Sequence, residues 1–140
     1  HTIVYRTQSV VVFVNRSHPW FGRETVSAAE LAGQPFILRE HGSTTRRTFE
    51  AAMQAAGVDI SCVLEIGSRE GVWKAVEQGL GIGVVADFEF VPHADLRTLH
   101  IIDVPVTTEY RLACLRERRD SRTIAAFIES VMSVEAARDR

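Results

Sequence analysis

The sequence predicts an α/β fold, and three observations carry that reading. From Gln34 to Val85, strand-like and helix-like stretches alternate as strand, helix, strand, helix, strand. That order builds a parallel sheet with helices packed against it. Ser9 to Val14 reads SVVVFV, a continuous run rich in β-branched residues, typical of a strand buried on both faces. The helical stretches repeat apolar residues about every 3.6 positions, with glycine just past their ends.

After the SVVVFV strand, NRSHPWFGRETV is a loop broken by His18-Pro19. Ser27-Ala28-Ala29-Glu30 has the spacing of a capping box, which starts a short helix through Leu31 that Gly33 ends. Gln34 to Leu38, with PFIL, is a short strand. The next helix carries Phe49, Ala52, Met53 and Ala56 on one stripe, and Gly57 sits at its C-terminal cap.

Ser61 to Ile66 is a strand, and Gly67-Ser68 is a turn ending in a helix N-cap. Arg69 to Gln78 is a helix with Val72, Ala75 and Val76 on one face. Gly79, Gly81 and Gly83 punctuate the lead into a strand at Ile82–Val85. Asp87–Val91 is one helical turn before Pro92. Leu96–Ile102 and Thr107–Leu115 are strands, and RERRDS is a solvated connector. Arg122–Ala136 is an amphipathic helix with Ile124, Phe127, Ile128 and Val131 on its stripe.

The chain has 140 residues, 46% apolar and 24% charged, enough for one packed domain. A net charge of -2 argues against a dedicated nucleic-acid surface. No apolar run approaches the roughly 20 residues of a membrane-spanning helix. HTIVYRTQ lacks the layout of a signal peptide, and His1 in place of Met suggests a fragment or a processed product. Cys62 and Cys114 lie in apolar runs and read as buried thiols of a reduced, cytoplasmic protein. No cluster of metal ligands is legible, and no cofactor is expected. GLGIGV contains GxG without the GxGxxG spacing of a dinucleotide loop.

Two loops stand out. REHGSTT follows the PFIL strand, and GSRE follows SCVLEI. Each places a Gly-Ser step at a helix start. Unpaired amides make that end of a helix partly positive and suited to an anion. Ser43, Thr44 and Ser68 are also ordinary capping residues, and capping alone would account for them. Arg46 and Arg47 fall in the first turn, where acidic residues are preferred, and no nearby acid is expected to compensate them; Arg69 has Glu70 beside it. If the two strands are neighbours, both helix starts converge on one crevice beyond the carboxyl ends of the sheet. Glu40 and His41 are adjacent, but no nucleophile, base and orienter form a set, so no catalytic residue is assigned.

SHPW, SAAELAGQPFILRE, HGSTTRRTFEAAMQAAG, EIGSREGVWKAVEQGLGIGVV and IAAFIESV, in this order and spacing, resemble the effector-binding domain of LysR-type transcriptional regulators. The resemblance implies a periplasmic-binding-protein-like (type 2) fold: two α/β lobes joined by two crossing strands, with ligand between them. It implies a second lobe over about 16–105, crossing strands at 9–15 and 106–116, and a first-lobe helix at 120–136. The first lobe would be incomplete and the DNA-binding helix-turn-helix absent, so DNA would be contacted only through that missing part.

Carried over by position, the effector contacts would be His41, Gly42, Ser43, Thr44, Thr45 and Arg46, with Gly67, Ser68 and Arg69. Glu40, Val84 and Val85 would follow in second rank. The resemblance also implies a small anionic effector, a homo-oligomer and no membrane partner. A narrower likeness, to regulators associated with aminoethylphosphonate catabolism, implies 2-aminoethylphosphonate, with Arg46 as the fork for its anion and Glu40 facing its amino group. Two other functions stay open: a transport solute-binding protein of the same fold, and a small enzyme using Glu40 or His41.

Overall fold

A computed structural model describes residues 1–140. The chain divides into two compact units, Ser9–Thr108 and His1–Gln8 with Glu109–Arg140. The larger unit holds a mixed sheet. In chain order its strands are β1 (Thr2–Asn15), β2 (Thr25–Val26), β3 (Pro35–Leu38), β4 (Ser61–Glu65), β5 (Gly83–Ala86), β6 (Leu96–Ile101) and β7 (Thr107–Ala113). The first and last of these continue into the smaller unit. Hydrogen bonding gives the path β2-β6-β1-β5, with β7 also on β1, and β3 pairs with β4.

Two bonds lace these groups together. Ile37 N–H donates to the Ile82 carbonyl at 2.9 Å, and Ile82 N–H donates to the Pro35 carbonyl at 2.8 Å. β3 runs parallel to β4 and to Ile82, whereas β1 is antiparallel to both β5 and β6. β1 is therefore reversed among otherwise parallel neighbours, as a strand that crosses the sheet against the βαβ direction must be.

Two α-helices cover the two faces of this sheet. α1 (Thr44–Ala55) packs Phe49 and Met53 with Val10, Val12, Val14, Phe36 and Leu38. α2 (Arg69–Glu77) packs Val72, Ala75 and Val76 with Val11, Phe13, Ile37 and Val85. Alternate residues of β1 and β3 go to opposite clusters, as the two-residue period of a strand requires. Both faces are covered, so SVVVFV is apolar at every position but the first rather than alternating.

Gly57 follows α1 with φ of +72°, the left-handed conformation that closes a helix C-terminus. Ser27 N–H donates to the Glu30 carboxylate at 2.8 Å, and the turn it caps is a 3-10 helix, Ala28–Leu31. Gly81 and Gly83 serve packing. A Cβ on Gly81 would lie 2.6 Å from the Pro35 carbonyl oxygen, and one on Gly83 would strike the Phe13 ring. This accounts for GxG in GLGIGV without any phosphate: bare backbone lets β5 lie against β3 and beneath an aromatic ring.

The smaller unit contains the outer parts of β1 and β7, a 3-10 turn at Arg116–Arg118, and α3 (Arg122–Arg138). Arg6 Nε donates to Glu135 at 2.6 Å, with both side chains mostly covered. Tyr5 meets Tyr110 edge-on at 6.3 Å. No residue of α3 is fully buried, and Phe127 is 60% exposed.

Three expectations need correction. The first strand begins at Thr2, not Ser9, because TIVYRTQ, mixed in polarity and nowhere fully buried, extends it ahead of the apolar run. The loop after it contains the two-residue strand β2. The cysteines are not buried: Cys62 is exposed and Cys114 half-buried, both unpaired. β4 pairs only with β3, and all five of its residues are exposed.

Candidate functional site

β3 and β4 are adjacent and parallel, with Leu38 opposite Glu65. The ladder continues one bond further, Ile66 N–H donating to the Leu38 carbonyl at 2.9 Å. The loops of residues 39–43 and 66–68 therefore leave the sheet side by side at its carboxyl edge. Each feeds a helix start. The condition that the two strands be neighbours is met.

In the first loop, Ser43 N–H donates to the Glu40 carbonyl at 2.9 Å, closing a turn over His41 and Gly42. Ser43 has extended backbone angles and caps α1, its Oγ accepting from Arg46 N–H at 3.4 Å. The amides of Thr44 and Thr45 have no carbonyl within the helix to receive them, as at any helix start. His41, Gly42 and Thr44 are exposed, whereas Ser43 and Thr45 are half-buried.

In the second loop, Ser68 caps α2 more closely, its Oγ accepting from Gly71 N–H at 3.0 Å. Gly67, Ser68 and Arg69 are exposed. Gly71 lies under Ile66, where a Cβ would approach Cγ2 at 2.5 Å.

The charged residues are not arranged as the sequence suggests. Arg46 does have compensating acids. Its side chain is 6% exposed; Nε donates to Glu50 at 2.9 Å, and Nη1 donates to Glu65 at 3.1 Å and to the Arg39 carbonyl at 2.6 Å. Burial works against its charge, and the bonds it donates to Glu50 and Glu65 outweigh burial, so its pKa is raised. Glu50 sits four residues on, at helical contact spacing, and was legible in the sequence. Glu65 was not, because its approach depends on which strand β4 joins.

Glu40 is held by Arg39, Nε and Nη2 each donating at 2.9 Å. That bond, with its own backbone N–H, keeps its carboxyl below the usual range. His41 Nε2 lies 3.7 Å from Glu65. Arg69 pairs with Glu89 at 3.1 Å rather than with its neighbour Glu70. A hollow of about 430 Å³ opens beside it, lined by Trp73, Lys74, Glu77 and His93. Within it Lys74 lies 3.1 Å and His93 3.4 Å from Glu77.

Val84 is half-buried against the α1-side core, and Val85 is buried on the α2 side, leaving backbone as its contribution to any surface. A residue not singled out from sequence is Thr108, buried on β7, whose hydroxyl donates to Thr48 Oγ1 on α1 at 3.4 Å. Its position two residues after the core residue Val106 was the available signal. No group of three or more His, Cys, Asp or Glu side chains is placed to hold a metal ion. No helix is long and apolar enough to cross a membrane.

Residues 2–135 match the family model described as the LysR substrate binding domain. The chain is 35% identical over 132 residues to a RuBisCO operon transcriptional regulator of Allochromatium vinosum, covering 92% of this chain and 43% of that protein. It is 31% identical over 130 residues to the regulator of the same description from Acidithiobacillus ferrooxidans, covering 91% and 42%. The chain thus spans less than half the length of these relatives. Among solved structures, the Synechocystis PCC6803 CcmR regulatory domain in complex with 2-PG superimposes with a TM-score of 0.83 at 27% identity, over 96% of this chain and 66% of that one. The architecture is the periplasmic-binding-protein-like type 2 fold of such effector-binding domains. The chain belongs to the LysR substrate-binding domain family.

Proposed function

We propose that this chain is the ligand-sensing part of a cytoplasmic LysR-type transcriptional regulator and that it receives a small anionic effector. The observation that carries this is the parallel pairing of β3 with β4, which sets two capped helix starts side by side at the carboxyl edge. His41, Gly42, Ser43, Thr44 and Thr45 form one side of the effector site, and Gly67, Ser68 and Arg69 the other. Amides and hydroxyls in these loops supply donors without bulk. The CcmR regulatory domain, one of the similar structures, was solved in complex with 2-PG.

On this reading the region 16–105 is the second lobe, 9–15 and 106–116 are crossing strands, and 120–136 belongs to the first lobe. Contact with DNA is a property of the full-length regulator, which acts as a homo-oligomer. Effector binding shifts transcription only through a difference in affinity between two conformations. The specific effector we put forward is 2-aminoethylphosphonate.

The test is calorimetric titration with 2-aminoethylphosphonate, 2-PG, inorganic phosphate and a plain amino acid. Saturable binding of an anion that weakens when Thr44 and Ser68 are both changed to Ala supports the reading. Equal heats from all four, or affinity indifferent to those two changes, would sink it. Preference for 2-PG over 2-aminoethylphosphonate would retain the sensor and discard the named effector.

A further inference from the structure

We propose that Arg46 is a positioning residue, a clasp that holds the two effector loops in register, and not the group that grips the effector. The proposal rests on the reading that these loops receive an anion. Arg46 touches three separate pieces of chain. Nε reaches Glu50 one turn along α1, and Nη1 reaches both the Arg39 carbonyl just past β3 and the Glu65 carboxylate at the end of β4. The first loop begins at Arg39, and the second follows directly after Glu65. One planar guanidinium thus spans the roots of both loops and the first turn of the helix between them. Its fixed fork of donors suits this, where a lysine ammonium would offer a single point.

The same geometry argues against a direct grip. Two carboxylates already face the one guanidinium. An anion arriving there would meet Glu50 and Glu65 as well as Arg46, and freeing the guanidinium would leave both carboxylates without their partner. The side chain is also 6% exposed, so little of it is offered to solvent. The donors facing an effector are then those of the loops, and Arg46 sets their spacing.

Glu65→Gln removes a negative charge beside the site, which favours an anion whichever role Arg46 has, so loop exchange is what separates the roles. If Arg46 grips the effector, the loops of the free chain keep their protection without it. If Arg46 is the clasp, Arg46→Met speeds exchange in both loops, and binding of an anion falls by about tenfold. Three chains serve: wild type, Glu65→Gln and Arg46→Met, titrated with 2-PG and 2-aminoethylphosphonate. In the absence of ligand, amide hydrogen exchange is followed at residues 39–45 and 66–68.

Faster exchange in both loops in Arg46→Met and, to a smaller extent, in Glu65→Gln is the expected result. Unchanged loop exchange in both variants overturns the proposal. If wild type takes up neither probe, the anion-sensor reading loses its support while the exchange data still decide whether the clasp exists. If Arg46→Met does not fold, Glu65→Gln decides alone.

Discussion

The amide of Ile66 donates to the carbonyl oxygen of Leu38 at 2.9 Å, one residue beyond the last register pair of β3 and β4. This bond makes two loops distant in sequence into two walls of one edge. Each loop then turns at once into a capped helix. The caps, the close-packed glycines and a half-buried histidine each give an outcome that can be checked.

Replacing Ser68 with Ala removes the oxygen that accepts from Gly71 N–H at 3.0 Å. Loss of such a cap costs about 1 kcal/mol. Urea unfolding of the variant should show that drop, and Ser68→Asn should recover most of it. A variant indistinguishable from wild type would mean that water replaces the cap at no cost.

Gly83→Ala should destabilise by about 1–3 kcal/mol, the usual cost of overpacking a well-filled core. The added methyl meets the Phe13 ring, with Val76 Cγ2 at 2.9 Å as the next neighbour. Phe13→Leu in the same chain should relieve part of the loss. A midpoint of chemical unfolding unchanged by Gly83→Ala would contradict the packing account of GLGIGV.

His18 gives a pH dependence. Burial holds its pKa below the ordinary 6.5, and its Nδ1 accepts from Trp20 N–H at 3.1 Å, which only the unprotonated nitrogen can do. The folded chain therefore favours neutral imidazole more than the unfolded chain does. This contribution is complete above the unfolded value and is lost as pH falls through the lower folded value. Thermal midpoints at about pH 7.5 and about pH 5.5 should differ more for wild type than for His18→Gln. Equal differences would remove His18 from the account.

The two thiols should separate by accessibility. Cys62 is exposed on the outer strand and Cys114 is half-buried, so iodoacetamide should modify Cys62 first, as peptide mass spectrometry would record. Cys62→Ser should leave stability within about 0.5 kcal/mol. Faster labelling of Cys114 would contradict the placement of β4 at the sheet margin.

The helices α1 and α2 were legible because Phe49 with Met53, and Val72 with Ala75 and Val76, recur at helical spacing and are the residues buried. The two loops beyond β3 and β4 were legible from a Gly-Ser step after each of two strands. Strand β2 was not, since Thr25–Val26 is too short for any period to show. The outer part of β1 was missed because TIVYRTQ mixes apolar and polar residues without burying any of them. Arg46 was expected to lack a compensating acid; Glu50 stands at helical spacing from it, but Glu65 does not. Its tie to Glu65 exists only once β4 lies beside β3, and local sequence spacing carries no such information.

The reversed direction of β1 also bears on how the chain reaches this state. Val10 pairs with Ala86 and Val12 with Leu99, 76 and 87 positions later, so the most apolar strand finds both neighbours only long after its own place in the chain. Contacts of such long sequence separation slow folding. During synthesis β1 precedes its partners out of the ribosome, with SVVVFV uncovered until β5 and β6 arrive. This strand is thus both the centre of the finished sheet and its most aggregation-prone segment beforehand, a natural place for a chaperone to hold the nascent chain.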